Sequence, residues 1–297
     1  MGMLGLVLVS GVMVGCIYGL IALGFVLIYK SSHVFNLAQG EFLLFGACIG
    51  WTFSTALHLN FWLALLLTIV CCALLGGLTE RIVLRRLIGE SLLTIIMVTI
   101  ALSMLFKGIL TGIWWKAPYG YPKVEFLKPV VLGKYISIAP QTLMAFLVSV
   151  LLIIVFLLFF KYAKLGLGMR AVAEDHQVAQ SVSIPVKRIY TITWAIASTV
   201  AGIGGFLLGQ LLTVSPELAT LGLIVLPVAL LGGLDSIPGC IIGGIIIGIS
   251  ENVAAVYLDP FLPHSGGLRI VIPYLIMLVV LLIRPHGLFG LERIERV

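Results

Sequence analysis

Apolar runs of bilayer length recur along the whole of this chain and leave few folds open to it. Residues 4–29, 61–79, 91–113, 140–160, 191–212 and 268–283 are clear cases, and 239–258 is another. About 20 mainly apolar residues in a helix cross the roughly 30 Å hydrocarbon layer of a membrane. Two further stretches are interrupted. Residues 40–57 follow the polar sequence FNLAQGE, and residues 217–233 follow Pro216, contain Pro227 and end in Gly232-Gly233. Such interruptions are tolerated at membrane depth only where the backbone is buried in protein or lines a cavity. The expectation is an all-α polytopic membrane helix bundle with eight to nine crossings, broken or re-entrant at those two places. It forms one transmembrane domain over residues 1–297. Composition agrees, because 61% of residues are hydrophobic and 10% charged, against about 25% charged in soluble domains. The apolar start MGMLGLVLVSGVMVG lacks a basic n-region and reads as the first spanning helix.

The longest charged interruption is 161–190, KYAKLGLGMRAVAEDHQVAQSVSIPVKRIY. Placing it in the cytoplasm puts Lys30, Arg81, Arg85, Arg86, Lys161, Lys164, Arg170, Lys187, Arg188, Arg284, Arg293 and Arg296 inside, 12 of the 18 Lys and Arg. The C-terminus is then cytoplasmic, and the N-terminus lies outside with nine crossings or inside with eight. Lys116, Lys123, Lys128, Lys134 and Arg269 fall outside, and Lys107 lies near an outer helix end. In the outer loop 114–139, Trp114, Trp115, Tyr119 and Tyr121 suit an interfacial aromatic belt. The net charge of +6 thus reads as topology in a protein surrounded by membrane lipid, not as a nucleic-acid surface.

Small residues recur at i, i+4 in Gly11/Gly15/Gly19, Gly46/Gly50, Gly205/Gly209, Gly239/Gly243 and Gly244/Gly248. That spacing lets helix backbones approach closely in lipid. Cys16, Cys48, Cys71, Cys72 and Cys240 sit inside apolar runs, with no metal spacing or disulfide framework, and read as small packing residues. His33, His58, His176, His264 and His286 lie near segment ends without ligand spacing. No cofactor is expected. The chain also lacks G-x-x-x-x-G-K-[ST], since Gly133-Lys134 is followed by Tyr135, and it lacks H-E-x-x-H and G-x-S-x-G. It is therefore expected to be non-catalytic, with ATP hydrolysis supplied elsewhere if ATP is used.

Within 161–190, Met169, Val172, Ala173, His176, Ala179, Gln180 and Ser183 recur at helical spacing, with Glu174-Asp175 near the middle and Pro185 ending the helix. A short narrow helix of this kind can enter a groove on a soluble partner. The other reading is a helix lying on the lipid surface, against which Glu174 and Asp175 count, since both would be repelled by an anionic leaflet. Inside the membrane, Glu41, Asp235 and Glu251 are the costly residues. Glu41 follows Asn36 and Gln39, which line a polar path or form a helix cap with Gln39 as capping-box partner. Asp235 caps the helix after a Gly-Gly turn or acts in the path. Glu251, next to Asn252, is a gate or one half of an ion pair. Taken together, Asn36, Gln39, Glu41, Glu251 and Asn252 are the candidate path residues.

Five stretches, in order, resemble the permease subunits of branched-chain amino acid ABC importers. They are YGLIALGFVLIYKSSHVFNLAQGEFLLFGA (18–47), TERIVLRRL (79–87), GMRAVAEDHQVAQSVSIPVKRI (168–189), LLGGLDSIPGCIIGGIIIGISEN (230–252) and RPHGLFG (284–290). Gln39 stands where many members have His, and Ser183 where a Gly commonly precedes Ile-x-Val. The resemblance implies a permease in a bacterial inner membrane. It also implies a homologous second permease, cytoplasmic ATPase subunits docked at 161–190 and an extracytoplasmic binding protein. Branched-chain amino acids are the implied cargo, with urea, short amides and other amino acids carried by relatives. The alternative is an ion- or proton-coupled secondary transporter using Glu41, Asp235 and Glu251.

Overall fold

The structure, a computed structural model, describes residues 2–32, 34–87, 90–114, 116, 118–122, 129–132, 136–174, 176–261 and 267–290. His33, Trp115, Lys123, Lys128, Gly133, Lys134, Tyr135, Asp175, His264, Arg293 and Arg296 lie outside those residues. The α-helices are α1 (Gly2–Ser32), α2 (Gln39–Trp51), α3 (Phe61–Ile82), α4 (Leu92–Ile113), α5 (Pro140–Tyr162) and α6 (Lys164–Glu174). They continue with α7 (His176–Ser181), α8 (Val186–Leu211), α9 (Thr220–Gly232), α10 (Ile237–Val253) and α11 (Gly267–Ile283). Strands β1 (Val130–Leu132) and β2 (Ile136–Ile138) form an antiparallel ribbon.

Among the described residues, six helical stretches have the length and apolar composition to cross a membrane: Leu4–Ser32, Phe61–Leu87, Leu92–Ile113, Pro140–Tyr162, Val186–Leu211 and Ile237–Phe261. The sequence count of eight to nine exceeds this because of three stretches. Residues 268–283 fall within α11, whose 17 residues rise only about 25 Å. Residues 217–233 form a 3₁₀ turn, Pro216–Ala219, followed by α9 with Pro227 inside it. Residues 40–57 form α2, which widens into a π-helical turn at Thr52–Ala56.

The chain divides into two compact units: Met1–Val26, Val124–Val150 and Ile224–Val297 in one, Leu27–Lys123 and Leu151–Leu223 in the other. In the first, α1 lies against α10 through their glycines. A Cβ on Gly15 would stand 2.6 Å from the Gly244 carbonyl oxygen and 2.8 Å from Ile245 Cα. Only hydrogen at these positions permits the approach, as the spacing in the sequence requires. Gly233 ends α9 with φ +99°. There the segment RPHGLFG folds back, with Leu288 N–H donating to the Leu231 carbonyl at 2.8 Å and Phe289 N–H to that of Gly232 at 3.2 Å. The cap of α10 is Ser236, whose hydroxyl accepts from Gly239 N–H at 3.1 Å, and not Asp235. The serine sits at the Ncap position itself, one residue nearer the helix.

In the second unit, α8 is the centre, with α2 and α3 laid on it. A Cβ on Gly46 would overlap the Gly202 backbone, and one on Gly76 would overlap Ser198 and the Trp194 carbonyl. The Ser198 hydroxyl donates to the Cys72 carbonyl at 2.7 Å. Phe42, Trp194, Ala197, Ala201, Ile28 and Leu102 form the buried core beside them. Tyr119 and Tyr121, expected at the lipid interface, are tied into the protein instead. Tyr119 and Val214 exchange backbone hydrogen bonds of 2.9 and 2.8 Å, and the Tyr121 phenol donates to the Ala47 carbonyl at 2.7 Å. Burial holds that phenol protonated, well above its ordinary range.

Candidate translocation path and coupling surface

Helix α2 begins at Gln39 with Ala38 as Ncap and no side-chain cap. Asn36 therefore does not cap it. Its carboxamide oxygen accepts from Ala38 N–H at 3.1 Å and its amide donates to Gln39 Oε1 at 3.0 Å. Gln39 Nε2 in turn donates to the Ala197 carbonyl of α8 at 3.3 Å. Both side chains are fully buried. This relay satisfies the polar groups of the chain reversal before α2 and fastens it to α8. Glu41, in the first turn of α2, differs. It lines a cavity of about 290 Å³ with Phe45, Leu75, Phe106, Ile109 and Trp114. The Ser103 hydroxyl and the Lys107 ammonium of α4 stand close enough to act on its carboxylate.

Glu251 and Asn252 lie in the other compact unit. The Arg269 guanidinium of α11 donates from Nε to Glu251 Oε1 at 3.0 Å, with the carboxylate side chain 5% exposed. Tyr18 of α1 is beside it. Asn252 Nδ2 donates to the Gly248 carbonyl in its own helix at 2.9 Å. Of the two readings of Glu251, gate or ion pair, the geometry gives the pair. Asp259 completes the group by accepting from the backbone N–H of Leu268 and Arg269 at 3.0 and 3.3 Å, which caps α11.

The excursion 161–190 folds as two short helices rather than one. Helix α6 runs on almost directly from α5, and α7 ends at Ser181, four residues before Pro185. Pro185 does not stop α7; it is the Ncap of α8. What stops α7 is a Schellman turn. Ser183 N–H donates to the Gln180 carbonyl and Ile184 N–H to that of Ala179, both at 3.0 Å, with Ser183 at φ +64°. A glycine is the natural occupant of that position.

Burial reassigns the face expected to dock. Met169, Val172 and Ala179 are 2%, 0% and 2% exposed, so they pack inside this chain and cannot enter a partner's groove. Ala173 is half-buried and Glu174 and Ser183 are exposed. The side chain of His176 is outside the description, as is Asp175. The apolar side chains that face outward are Leu167, Val178 and Val182, at 60%, 60% and 63% exposure. Two apolar stripes share these helices, and sequence period alone does not tell which one the chain covers itself. Arg170 of α6 and Lys30 of α1 both stand over the Phe160 ring, at 5.8 and 5.6 Å, and anchor the excursion.

Sequence reasoning missed a buried polar knot at the foot of α8. Glu80, its side chain 2% exposed, accepts from Arg85 Nη2 at 2.9 Å and Nε at 3.3 Å. The Thr191 hydroxyl donates to the same carboxylate at 2.6 Å. The knot joins the end of α3 to the first turns of α8, directly after the excursion 161–190. A Glu and an Arg five residues apart across a helix end were the available signal, of which only Arg85 was read, as a topology charge.

The arrangement fits a membrane permease: helices of membrane-crossing length, a lined cavity and an amphipathic excursion between two of those helices. Residues 7–281 match the family described as "Branched-chain amino acid transport system / permease component", and the chain belongs to that family. It is 28% identical over 302 residues to LivH, the high-affinity branched-chain amino acid transport system permease protein of Escherichia coli (strain K12), covering 97% of this chain and 96% of that one. It is likewise 28% identical over 307 residues to BraD of Pseudomonas aeruginosa, a permease protein of the same description, covering 98% and 97%. PsaBC from Streptococcus pneumoniae, solved in complex with Fab, shares the fold with a TM-score of 0.50 at 15% identity, over 93% of this chain and 89% of that chain.

Proposed function

We propose that this chain is the membrane-crossing half of an ATP-driven importer of branched-chain amino acids. The observation that carries the reading is the excursion α6–α7. Two amphipathic helices between α5 and α8 bury one apolar stripe and turn Leu167, Val178 and Val182 outward. Family membership supplies the remainder. A homologous second permease would complete the pore, cytoplasmic ATPase subunits would dock on α6–α7, and an extracytoplasmic binding protein would deliver the amino acid. The chain itself performs no hydrolysis and takes no cofactor. Its site is a bacterial inner membrane with the C-terminus cytoplasmic. Eight or nine crossings follow if α9, α11 and α2 with its π-helical turn span with their neighbours.

The path in this reading runs past Glu41, with Asn36 and Gln39 fixing the helix that carries it and Glu251 held by Arg269. The ion-coupled alternative asked Glu41, Asp235 and Glu251 to exchange ions, and an arginine already engages Glu251. The test is uptake of leucine into vesicles holding the assembled complex. Uptake should require ATP and survive an uncoupler while ATP is maintained. Collapse with the proton gradient at constant ATP would sink this reading.

A further inference from the structure

We infer that the stretch between α8 and α9 is a re-entrant wall of the translocation path, and that Glu217 presents its carboxylate to water there at membrane depth. This rests on the permease reading above and adds a charged group to its path. The backbone leaves α8 extended at Leu212 and is extended again at Ser215, with φ −137° and ψ 161°. The 3₁₀ turn Pro216–Ala219 follows, and α9 starts at Thr220. The depth of this stretch follows from its neighbours. Residues 214–216 share a gap with Leu44 and Cys48 of α2 and Thr111 of α4. Further on, a Cβ on Gly40 would overlap the Ala219 carbonyl, and one on Gly222 would overlap the Gly40 backbone. Gly40 is in the first turn of α2, about 16 Å from Trp51 at the far end of that helix at 1.5 Å per residue. The segment therefore runs along α2 from the level of Cys48 to that of Gly40, with Glu217 between them.

Irregular backbone at this depth is tolerated only where it is buried in protein or lines a water-filled cavity. The two sides of the segment differ. Val214, Leu218, Ala219 and Gly222 are buried, whereas Thr213, Glu217, Thr220 and Leu223 are exposed. The ion pairs among the described residues are Arg85–Glu80 and Arg269–Glu251, so Glu217 has no ion-pair partner among them. An ionisable side chain at membrane depth faces a bundle interior, an aqueous path or a partner, and seldom lipid tails. Side-chain size decides between partner and water. Helices that meet in lipid turn small residues toward one another. The small residues of this segment, Ala219 and Gly222, are turned instead onto Gly40 of the same chain. The outward strip carries a carboxylate and two threonines, of which Thr220 donates its hydroxyl to the Glu217 carbonyl at 2.6 Å. Such a strip suits an aqueous wall.

The assembled importer in proteoliposomes tests this, with leucine uptake and a thiol at position 217 as the two readouts. Glu217→Gln should lower ATP-driven uptake about tenfold or more, with the complex assembled and its melting temperature unaltered. Glu217→Cys should react, in the complex, with water-soluble methanethiosulfonates. The native cysteines are buried or half-buried, and the unaltered complex gives their background. The anionic sulfonatoethyl reagent restores a negative charge and should recover the uptake lost in Glu217→Cys. The cationic trimethylammonium reagent should not. Undiminished uptake by Glu217→Gln overturns the assignment, as does equal uptake after the two reagents. Reaction in the separated chain but not in the complex marks a contact between permeases and overturns it. Reaction in neither marks a lipid-facing side chain and also overturns it. Uptake by the unaltered complex that needs no ATP, with the thiol at position 217 still labelled, would instead overturn the importer reading.

Discussion

Arg85→Met is expected to destabilise the chain far more than its partial exposure suggests. Glu80 is nearly sealed, its side chain 2% exposed, while Arg85 is 31% exposed. Removing the guanidinium takes away the hydrogen bonds of 2.9 and 3.3 Å and leaves one, from Thr191 at 2.6 Å. A buried charge stripped of its partner costs about 3–5 kcal/mol. The exposure of Arg85 admits some water to the gap, so the low end, about 3 kcal/mol, applies. For a chain of this size that lowers the melting temperature by about 6–12 °C. The companion variant separates pairing from packing. Glu80→Leu with Arg85→Met removes both charges and should recover most of the loss, because a buried ion pair replaced by apolar groups is close to neutral. Thr191→Val removes the hydroxyl's bond to Glu80 and the one it accepts from Arg85, both 2.6 Å, and should cost at least about 1.5–3 kcal/mol, the range for one hydrogen bond to a charged group. Thermal unfolding of the full chain in mild detergent measures all four proteins. A double variant no more stable than Arg85→Met would refute the argument, since the cost would then not come from an unanswered Glu80.

Gly46→Ala should prevent assembly of α2 on α8, because its Cβ would fall within the Gly202 backbone, whereas Gly108→Ala meets open space and should gain up to about 1 kcal/mol of helix stability. Size-exclusion profiles and melting temperatures of the two variants check this, and a normally folded Gly46→Ala would refute it. Ser183→Gly should stabilise the turn after α7 by about 1 kcal/mol, because Ser183 occupies φ +64°, where an L side chain is strained by about that amount. A lowered melting temperature would show that the turn draws on the serine side chain.

Much of this architecture is legible before any coordinates. The six long helices fall within a few residues of the apolar runs, because hydrocarbon thickness sets their length. Gly11, Gly15, Gly244 and Gly248 announce close contact, but which glycine meets which depends on rotation and depth, and spacing carries neither. Gly202 shows the limit: it faces Gly46 and Cys72 without belonging to a regular ridge. Caps were misread by two residues at Asn36 and by one at Asp235, since Asn, Asp and Ser compete for the same role and only the backbone decides. Which apolar stripe of α6–α7 the chain covers itself was misread for a similar reason. Val172 and Val182 have the same chemistry, and one is covered by the chain while the other is not. Glu41 and Lys107 could each be singled out as costly, but their approach joins α2 to α4 across 66 positions of sequence, from 41 to 107.

Retention of the ATPase subunits by a complex altered at α6–α7 tests most directly whether this permease is driven from that surface. Val182→Asp places a charge on a side chain 63% exposed and leaves the buried stripe of Met169, Val172 and Ala179 untouched. The account expects a chain that folds and inserts normally, loses its ATPase partner on extraction in mild detergent, and no longer imports leucine. Ala173→Trp, on the half-buried edge of α6, should do the same. Full ATPase retention with undiminished ATP-driven uptake in both variants would contradict it.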